Sequence, residues 1–367
     1  MQTLNFHTTR SVLAEPGASS RLGDILRDLG CRRVALVTDP MILSLGLAEP
    51  AMRAIEQAGL HCWIWSQVVA DPPESMILQA VAAARQEHID GVLSIGGGSS
   101  MDTAKLLAVL LNSSQPLSEM YGIEQVEGER LPLVLAPTTA GTGSEVTPIS
   151  IVTTGDTEKK GVVARQLLPD WAVLDAELTV GLPREVTAAT GVDAMVHAIE
   201  AYTSRHKKNV LSDCLARQAL ALLGANIRRV CDRPDDRQAR GNMLLGSMLA
   251  GMAFANSPVA AVHALAYPLG GHFHVPHGLS NALVLPYVLE YNMPCAAPLY
   301  AELAPVVFPD RASGSDPAQS LLDGFVQLAP DIGLKTRLRE VGVGHNHLRM
   351  LAEDAMKQTR LLVNNPR

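Results

Sequence analysis

Along the first half of the chain, short runs of β-branched and apolar residues alternate with longer stretches whose apolar residues recur at three and four residue intervals. Such alternation predicts parallel strands joined by crossover helices. The runs place strands at Arg33–Thr38, His61–Trp65, Gly91–Ile95, Leu133–Ala136, Ile149–Thr153 and Trp171–Leu174, with helices near Gly17–Leu29, Ala48–Ala58 and Pro73–His88. After about Leu182 the texture changes. Pro183 suits the first turn of a helix, and Val210–Val230, Arg237–Ala255 and Leu279–Tyr291 carry helical spacing with few strand-like runs between them. The reading is a Rossmann-like α/β domain with a parallel sheet over residues 1–182, then an all-helical domain over residues 183–367. The short linker implies that the two pack together around a cleft. One polar loop is expected near Arg311–Asp316, and no repeat or low-complexity tract is evident.

Length changes this picture little: 367 residues are enough for about two domains. With 47% hydrophobic and 18% charged residues the chain can bury a large core, and a formal net charge of -7 without long like-charge runs argues against nucleic acid and acidic membrane surfaces as partners. Five scattered cysteines, Cys31, Cys62, Cys214, Cys231 and Cys295, form no C-x-x-C pair and fit reduced thiols. The first ten residues lack a signal-peptide pattern, and no apolar run reaches the roughly 18 residues of a membrane span. A cytoplasmic protein is the expectation.

Candidate chemistry begins where Gly91–Ile95 runs into Gly96-Gly97-Gly98-Ser99-Ser100-Met101-Asp102-Thr103-Ala104-Lys105. Glycines let a ligand approach the backbone, and the helix start that follows offers free N–H groups and a positive dipole end, so the segment reads as a phosphate cradle. It is neither G-x-G-x-x-G nor a P-loop. A second polar loop, Pro137-Thr138-Thr139-Ala140-Gly141-Thr142-Gly143-Ser144-Glu145-Val146, follows another buried run; its hydroxyls could bond a pyrophosphate or ribose, or simply fill a turn. Asp39, at the end of a strand, either binds ribose hydroxyls and repels the extra phosphate of NADP, or opens a turn before Pro40.

Further on, Asp193 and His197 stand four apart, which on a helix puts both on one face. Alone, the pair reads more readily as a core histidine bonded to a carboxylate. His263 and His277, the latter in a Pro-His-Gly setting that suits a loop, complete a mixed nitrogen and oxygen set appropriate to Fe(II) or Zn(II).

Taken in order, Gly96–Lys105, Pro137–Pro148, Gly191–Glu200 and His263–Gly278 resemble the iron-containing (group III) alcohol dehydrogenase family over nearly the whole chain. The resemblance implies a dehydroquinate synthase-like architecture. It also implies metal ligands at Asp193, His197, His263 and His277, and NAD contacts at Asp39, Gly97, Gly98, Ser99, Asp102, Thr138, Thr139, Thr142, Lys160 and Leu178. Dimers or larger homo-oligomers through the N-terminal domain are implied as well. The expected activity is reversible hydride transfer between NAD and a small primary alcohol or aldehyde, with the metal polarising the substrate oxygen.

The sequence departs from the family's commoner pattern at Tyr267, where many members carry a histidine near the nicotinamide. A phenol, with an ordinary pKa of about 10, shuttles protons near neutrality less readily than imidazole. His272 and His274 match no ligand position and read as loop or cleft residues. Relatives continue for a further helix beyond Arg367, so a trimmed end is expected. The alternatives are a hydroxyacid-oxoacid transhydrogenase, a polyol or glycerol dehydrogenase, a maleylacetate reductase, which the intact ligand set disfavours, and a lyase of the dehydroquinate synthase kind. A non-catalytic NAD- or metal-binding regulator is the alternative outside the enzymes.

Overall fold

The computed structural model describes residues 4–155, 158–311 and 316–367, so the interior of the polar loop expected at Arg311–Asp316 lies outside the described residues. The chain sorts into two units: His7–Thr139 with Ser144–Thr179, and Val180–Arg367 with Ala140–Gly143 and the residues up to Phe6.

The first unit is built on a six-stranded parallel sheet. In chain order its elements are β1 (Ser11–Ala14), α1 (Leu22–Asp28), β2 (Arg33–Val37), α2 (Pro40–Ser44), α3 (Glu49–Gln57), β3 (His61–Trp65), α4 (Glu74–Gln86), β4 (Gly91–Gly96), α5 (Gly98–Leu111), β5 (Gly122–Ile123), β6 (Leu133–Pro137), β7 (Ile149–Thr154), β8 (Glu158–Val163) and β9 (Trp171–Leu174). The sheet order is β1-β9-β6-β4-β2-β3, every neighbour parallel. Strands β4 and β6 are buried throughout, as central strands covered by helices on both faces should be. One face holds a core of Leu22, Leu26, Leu36, Ile55, Leu93 and Val134; the other packs Ile77, Met101, Leu106, Leu107 and Leu135. Counting outward, β3 lies on one side of β2, while β4, β6 and β9 run the other way. The chain therefore reverses direction at the β2/β4 boundary, and in open α/β sheets ligands bind at the carboxyl ends of the strands flanking such a point.

Three local readings are corrected. The strand expected at Ile149–Thr153 forms as β7 but leaves the main sheet; it pairs antiparallel with β8, and β5 pairs parallel with β8. Its alternating burial, unlike the complete burial of β4, is the signature of a one-sided strand. The helix expected from Gly17 begins as a 3₁₀ turn, Ala18–Arg21, before α1. β1 and β8 were not foreseen, β8 because its Glu-Lys-Lys-Gly start looks like a loop.

The second unit is helical: α6 (Arg184–Thr203), α7 (Val210–Asp232), α8 (Arg237–Asn256), α9 (Ala261–Phe273), α10 (His277–Val307), α11 (Pro317–Asp331), α12 (Leu348–Met356) and α13 (Thr359–Leu362). α6 is buried almost all round from Thr187 to Thr203, so it is the central rod that α7, α8 and α10 surround. α10 runs on through Pro286, Pro294, Pro298 and Pro305. Those prolines are why the periodicity stops at Tyr291 in the sequence reading, since each removes a helical hydrogen bond that packing must outweigh. Among the described residues no single helix is long and apolar enough to cross a membrane.

Candidate functional site

Three turns of helix assemble the chemical centre of the helical unit, each presenting two side chains four residues apart. α6 offers Asp193 and His197, α9 offers His263 and Tyr267, and α10 offers His277 and Asn281. Contrary to the loop expected around it, His277 is the first residue of α10, directly after Pro276, whose extended backbone launches the helix. Gly278 makes the approach possible: a Cβ there would lie 2.3 Å from the Ala189 carbonyl oxygen, so α10 can touch α6 only through glycine.

Asp193 Oδ1 lies 4.0 Å from His197 Nε2, 3.9 Å from His263 Nε2 and 3.5 Å from His277 Nε2. One donor atom from each of the four falls within 4.8 Å of all the others. Around one ion with bonds of 2.0–2.2 Å, tetrahedral ligand atoms stand about 3.4 Å apart, so slight contraction would close the set. The donor chemistry, three imidazoles and one carboxylate, fits Fe(II) or Zn(II). Asp193, His197 and His263 are buried, with side chains 2%, 6% and 3% exposed, whereas His277 is 36% exposed, so the cluster opens beside His277.

The rings are held in one tautomer. His197 Nδ1–H donates to the Gly141 carbonyl at 3.2 Å, turning Nε2 inward, and burial pulls its pKa down to about 3, which keeps it neutral. Gly141 comes that close because it carries no side chain: a Cβ would stand 2.7 Å from Thr190 Cβ. His263 Nδ1–H donates to Glu200 at 2.7 Å, and the same carboxylate accepts from the backbone N–H groups of Ala260 at 2.9 Å and Val262 at 2.7 Å. Burial favours the neutral carboxyl of Asp193, but the facing imidazoles and Asn281 outweigh it and hold the group below the usual carboxylate range. Asn281 Nδ2 lies 2.5 Å from Asp193 Oδ1 and 3.3 and 3.4 Å from the Nε2 atoms of His263 and His277, while its Oδ1 is buried without a partner. Phe254 stacks on His197 with ring centroids 4.3 Å apart.

Tyr267 stands at the mouth, its ring centroid 6.1 Å from that of His277. Burial pushes its phenol up, against a hydrogen bond and charge from Arg360 that act downward. His272, outside the cluster, lies in the last turn of α9 and bonds Asp354; His274 ends that helix in a left-handed conformation with φ 52°.

In the sheet unit, the residues expected to hold a dinucleotide gather at the β2/β4 switch point. Gly97 is the N-cap of α5, and Gly98 and Ser99 are its first residues, so their N–H groups face the strand ends. Thr138 follows β6, its N–H bonded to the Gly96 carbonyl at 3.0 Å, and Thr139 lies 3.7 Å from the position of a Cβ on Gly97. Asp39 caps α2, Oδ1 accepting from the N–H groups of Met41 at 2.9 Å and Ile42 at 3.0 Å, while Oδ2 lies 3.9 Å from where a Cβ on Gly96 would stand. Asp39 thus both opens the turn before Pro40 and keeps one oxygen at the glycine loop.

Other expected contacts fall elsewhere. Asp102 uses both oxygens internally, Oδ1 accepting from Ser144 Oγ at 2.7 Å and Oδ2 from Ile151 N–H at 2.9 Å. Leu178 is buried in the sheet core, Lys160 pairs with Glu158 on β8, and Thr142 belongs to the Ala140–Gly143 segment of the helical unit. Lys105, given no role from sequence, is fully buried; Nζ donates to Ser144 Oγ at 2.8 Å, the Ile149 carbonyl at 2.7 Å and Thr147 Oγ1 at 3.3 Å. Burial draws its pKa down to about 8, and burial likewise raises neighbouring Glu145 to about 7. Glu200, Asn281 and Arg360 were also missed. For the first two the available signal was spacing: Glu200 stands seven residues, two turns, after Asp193, and Asn281 four after His277.

Two family models match the chain, iron-containing alcohol dehydrogenase over residues 9–176 and the C-terminal domain of the Fe-containing alcohol dehydrogenase family over residues 187–367. Long-chain-alcohol dehydrogenase 1 of Geobacillus thermodenitrificans (strain NG80-2) is 39% identical over 355 residues, covering 95% of this chain and 89% of the relative. The crystal structure of a 1,3-propanediol oxidoreductase superposes with a TM-score of 0.96 at 33% identity, covering 100% of this chain and 96% of that one. A sulfoacetaldehyde reductase from Bifidobacterium kashiwanohense, solved in complex with NAD+, superposes with a TM-score of 0.89 at 26% identity over 100% and 95% of the two chains.

Proposed function

The chain belongs to the iron-containing alcohol dehydrogenase family, and on that premise we propose that it transfers hydride reversibly between NAD(H) and a small primary alcohol or aldehyde. Asp193, His197, His263 and His277 would hold one divalent ion, iron(II) or zinc(II). The observation that carries the reading is the convergence of four ligand-type atoms within 4.8 Å, three side chains buried and the fourth facing an opening.

When bound, the ion supplies Lewis acidity that eases removal of the hydroxyl proton, and NAD accepts the hydride. Around that chemistry the chain's own residues have distinct duties. Gly141 and Glu200 fix the tautomers of His197 and His263 so that Nε2 lone pairs point into the cluster. Asn281 donates to Asp193 and holds the carboxylate in line. Phe254, stacked on His197, keeps water off one side of the cluster. Tyr267 stands beside His277 and would accept or return a proton through its Oη. At the other centre, the N–H groups at the start of α5 would bind the pyrophosphate, Thr138 and Thr139 would line the same loop, and Asp39 Oδ2 would bind a ribose hydroxyl and exclude NADP.

Metal removal tests the reading. Protein dialysed against a strong chelator should lose NADH production from 1-propanol and regain it on addition of Fe(II) or Zn(II); undiminished turnover in metal-stripped protein would overturn it.

A further inference from the structure

Asn281 stands one turn after His277 on α10 and is completely buried. Its Nδ2 lies 2.5 Å from Asp193 Oδ1, 3.3 Å from His263 Nε2 and 3.4 Å from His277 Nε2, so this end of the amide rests against the triangle made by three of the four converging atoms. At the other end, Oδ1 is buried without a hydrogen-bond partner. A buried acceptor left in that condition is costly, and a side chain kept only to steady Asp193 has no reason to carry one. The two ends of a carboxamide have nearly the same shape, so a half turn about the last side-chain bond exchanges donor for acceptor without moving the rest of the residue.

A divalent ion bonded to Asp193, His263 and His277 at about 2.0–2.2 Å would lie within about 3 Å of that amide end. An N–H₂ group cannot be directed at a cation from so near, whereas a carbonyl oxygen there is a ligand of suitable charge and reach. We propose that Asn281 is a fifth ligand: when the cluster takes up its ion, the amide turns over and Oδ1 caps the triangle of Asp193, His263 and His277. This rests on the metal-binding part of the function proposed above. The hydrogen bond from Nδ2 to Asp193 then serves before uptake, keeping the carboxylate turned toward the imidazoles until the ion replaces it. Asn281 closes its face of the cluster, while the side beside the 36% exposed His277 stays open for substrate. Four tetrahedral protein ligands would leave a substrate oxygen no place, so the ion must accept more than four in any case. Five protein ligands and one open position suit iron(II) better than zinc(II), which settles most readily at four.

Cobalt(II) reports coordination number directly, because a four-coordinate ion absorbs visible light several-fold more strongly than a five- or six-coordinate one. Wild-type protein carrying one cobalt(II) per chain should give the weak spectrum, and a crystal structure of that form should place an Asn281 side-chain atom about 2.0–2.3 Å from the ion. Asn281→Leu, of nearly the same size but without donor or acceptor, should give the strong spectrum. In competition with a coloured chelator it should lose about tenfold more affinity for iron(II) than for zinc(II). Should the variant fail to fold, the wild-type distance decides by itself. A strong spectrum in the wild type, an amide standing about 3 Å or more from the ion, or an equal loss of both metals in Asn281→Leu would overturn the assignment of Asn281 while leaving the four-ligand site intact. Failure of the wild type to take up any divalent ion would overturn both.

Discussion

The two chemical centres are made in opposite ways. At the ends of β2, β4 and β6 the candidate nucleotide site is mostly main chain: a glycine N-cap, the first N–H groups of α5, and a loop held by a backbone bond from Thr138 to Gly96. In the helical unit the candidate metal site is all side chain, four donors projected from three helices, with Asp193 and His197 one turn apart on α6. Main chain can bind a phosphate only if the loop conformation is fixed from outside, whereas side-chain ligands need their rings turned correctly. The supports differ accordingly. A buried cation, Lys105, pins the loop between β6 and β7, and a buried anion, Glu200, orients His263.

The largest effect should come from removing the cation. Lys105→Met leaves Asp102 facing Ser144 and Ile151 without its counter-charge and frees the Ile149 carbonyl, and loss of one partner of a buried pair costs about 3–5 kcal/mol. Chemical denaturation should register that loss, and the surviving folded protein should bind NAD more weakly while retaining its metal content. Stability within 1 kcal/mol of wild type, by contrast, would show that the loop is fixed without Lys105.

What the sequence disclosed follows the same division. Asp193 with His197 and the Gly96–Ser99 turn were legible because helical periodicity and strand-to-helix glycines are local patterns. Lys105 was not, because its partners lie 39 to 44 residues away on a loop whose path depends on β7 leaving the main sheet. The surroundings of Asp102 were hidden for the same reason: spacing places it after the glycine loop, but only the fold reveals that its two oxygens accept from Ser144 and Ile151. Leu178 is a core residue on similar grounds, closing the sheet face with Leu36 and Val134.

A smaller effect, confined to the other centre, should follow Glu200→Gln. A glutamine amide can donate to His263 Nδ1, which moves the ring proton to Nε2 and removes the lone pair facing Asp193. Metal affinity, read by competition with a coloured chelator, should fall about 10- to 100-fold, while NAD affinity measured by quenching of tryptophan fluorescence stays at the wild-type value. Glu200 also accepts from the N–H groups of Ala260 and Val262, so some stability should be lost as well. Lower stability with unchanged metal affinity would mean that Glu200 serves the start of α9 alone.

Asp39 is where the two styles of construction meet in one residue, and its substitution should have the smallest effect. Oδ1 serves the backbone by capping α2, and Oδ2 is left at the glycine loop as a charged side-chain contact. Asn caps a helix about as well as Asp, so Asp39→Asn preserves the first duty and stability should change by only a few tenths of a kcal/mol. The negative charge is lost, however, and with it the repulsion of a 2′-phosphate, so the ratio of kcat/KM for NAD to that for NADP should fall about tenfold. If the ratio holds and the protein instead loses several degrees of melting temperature, the carboxylate is there for α2 alone, and nucleotide choice at this centre belongs to the main chain.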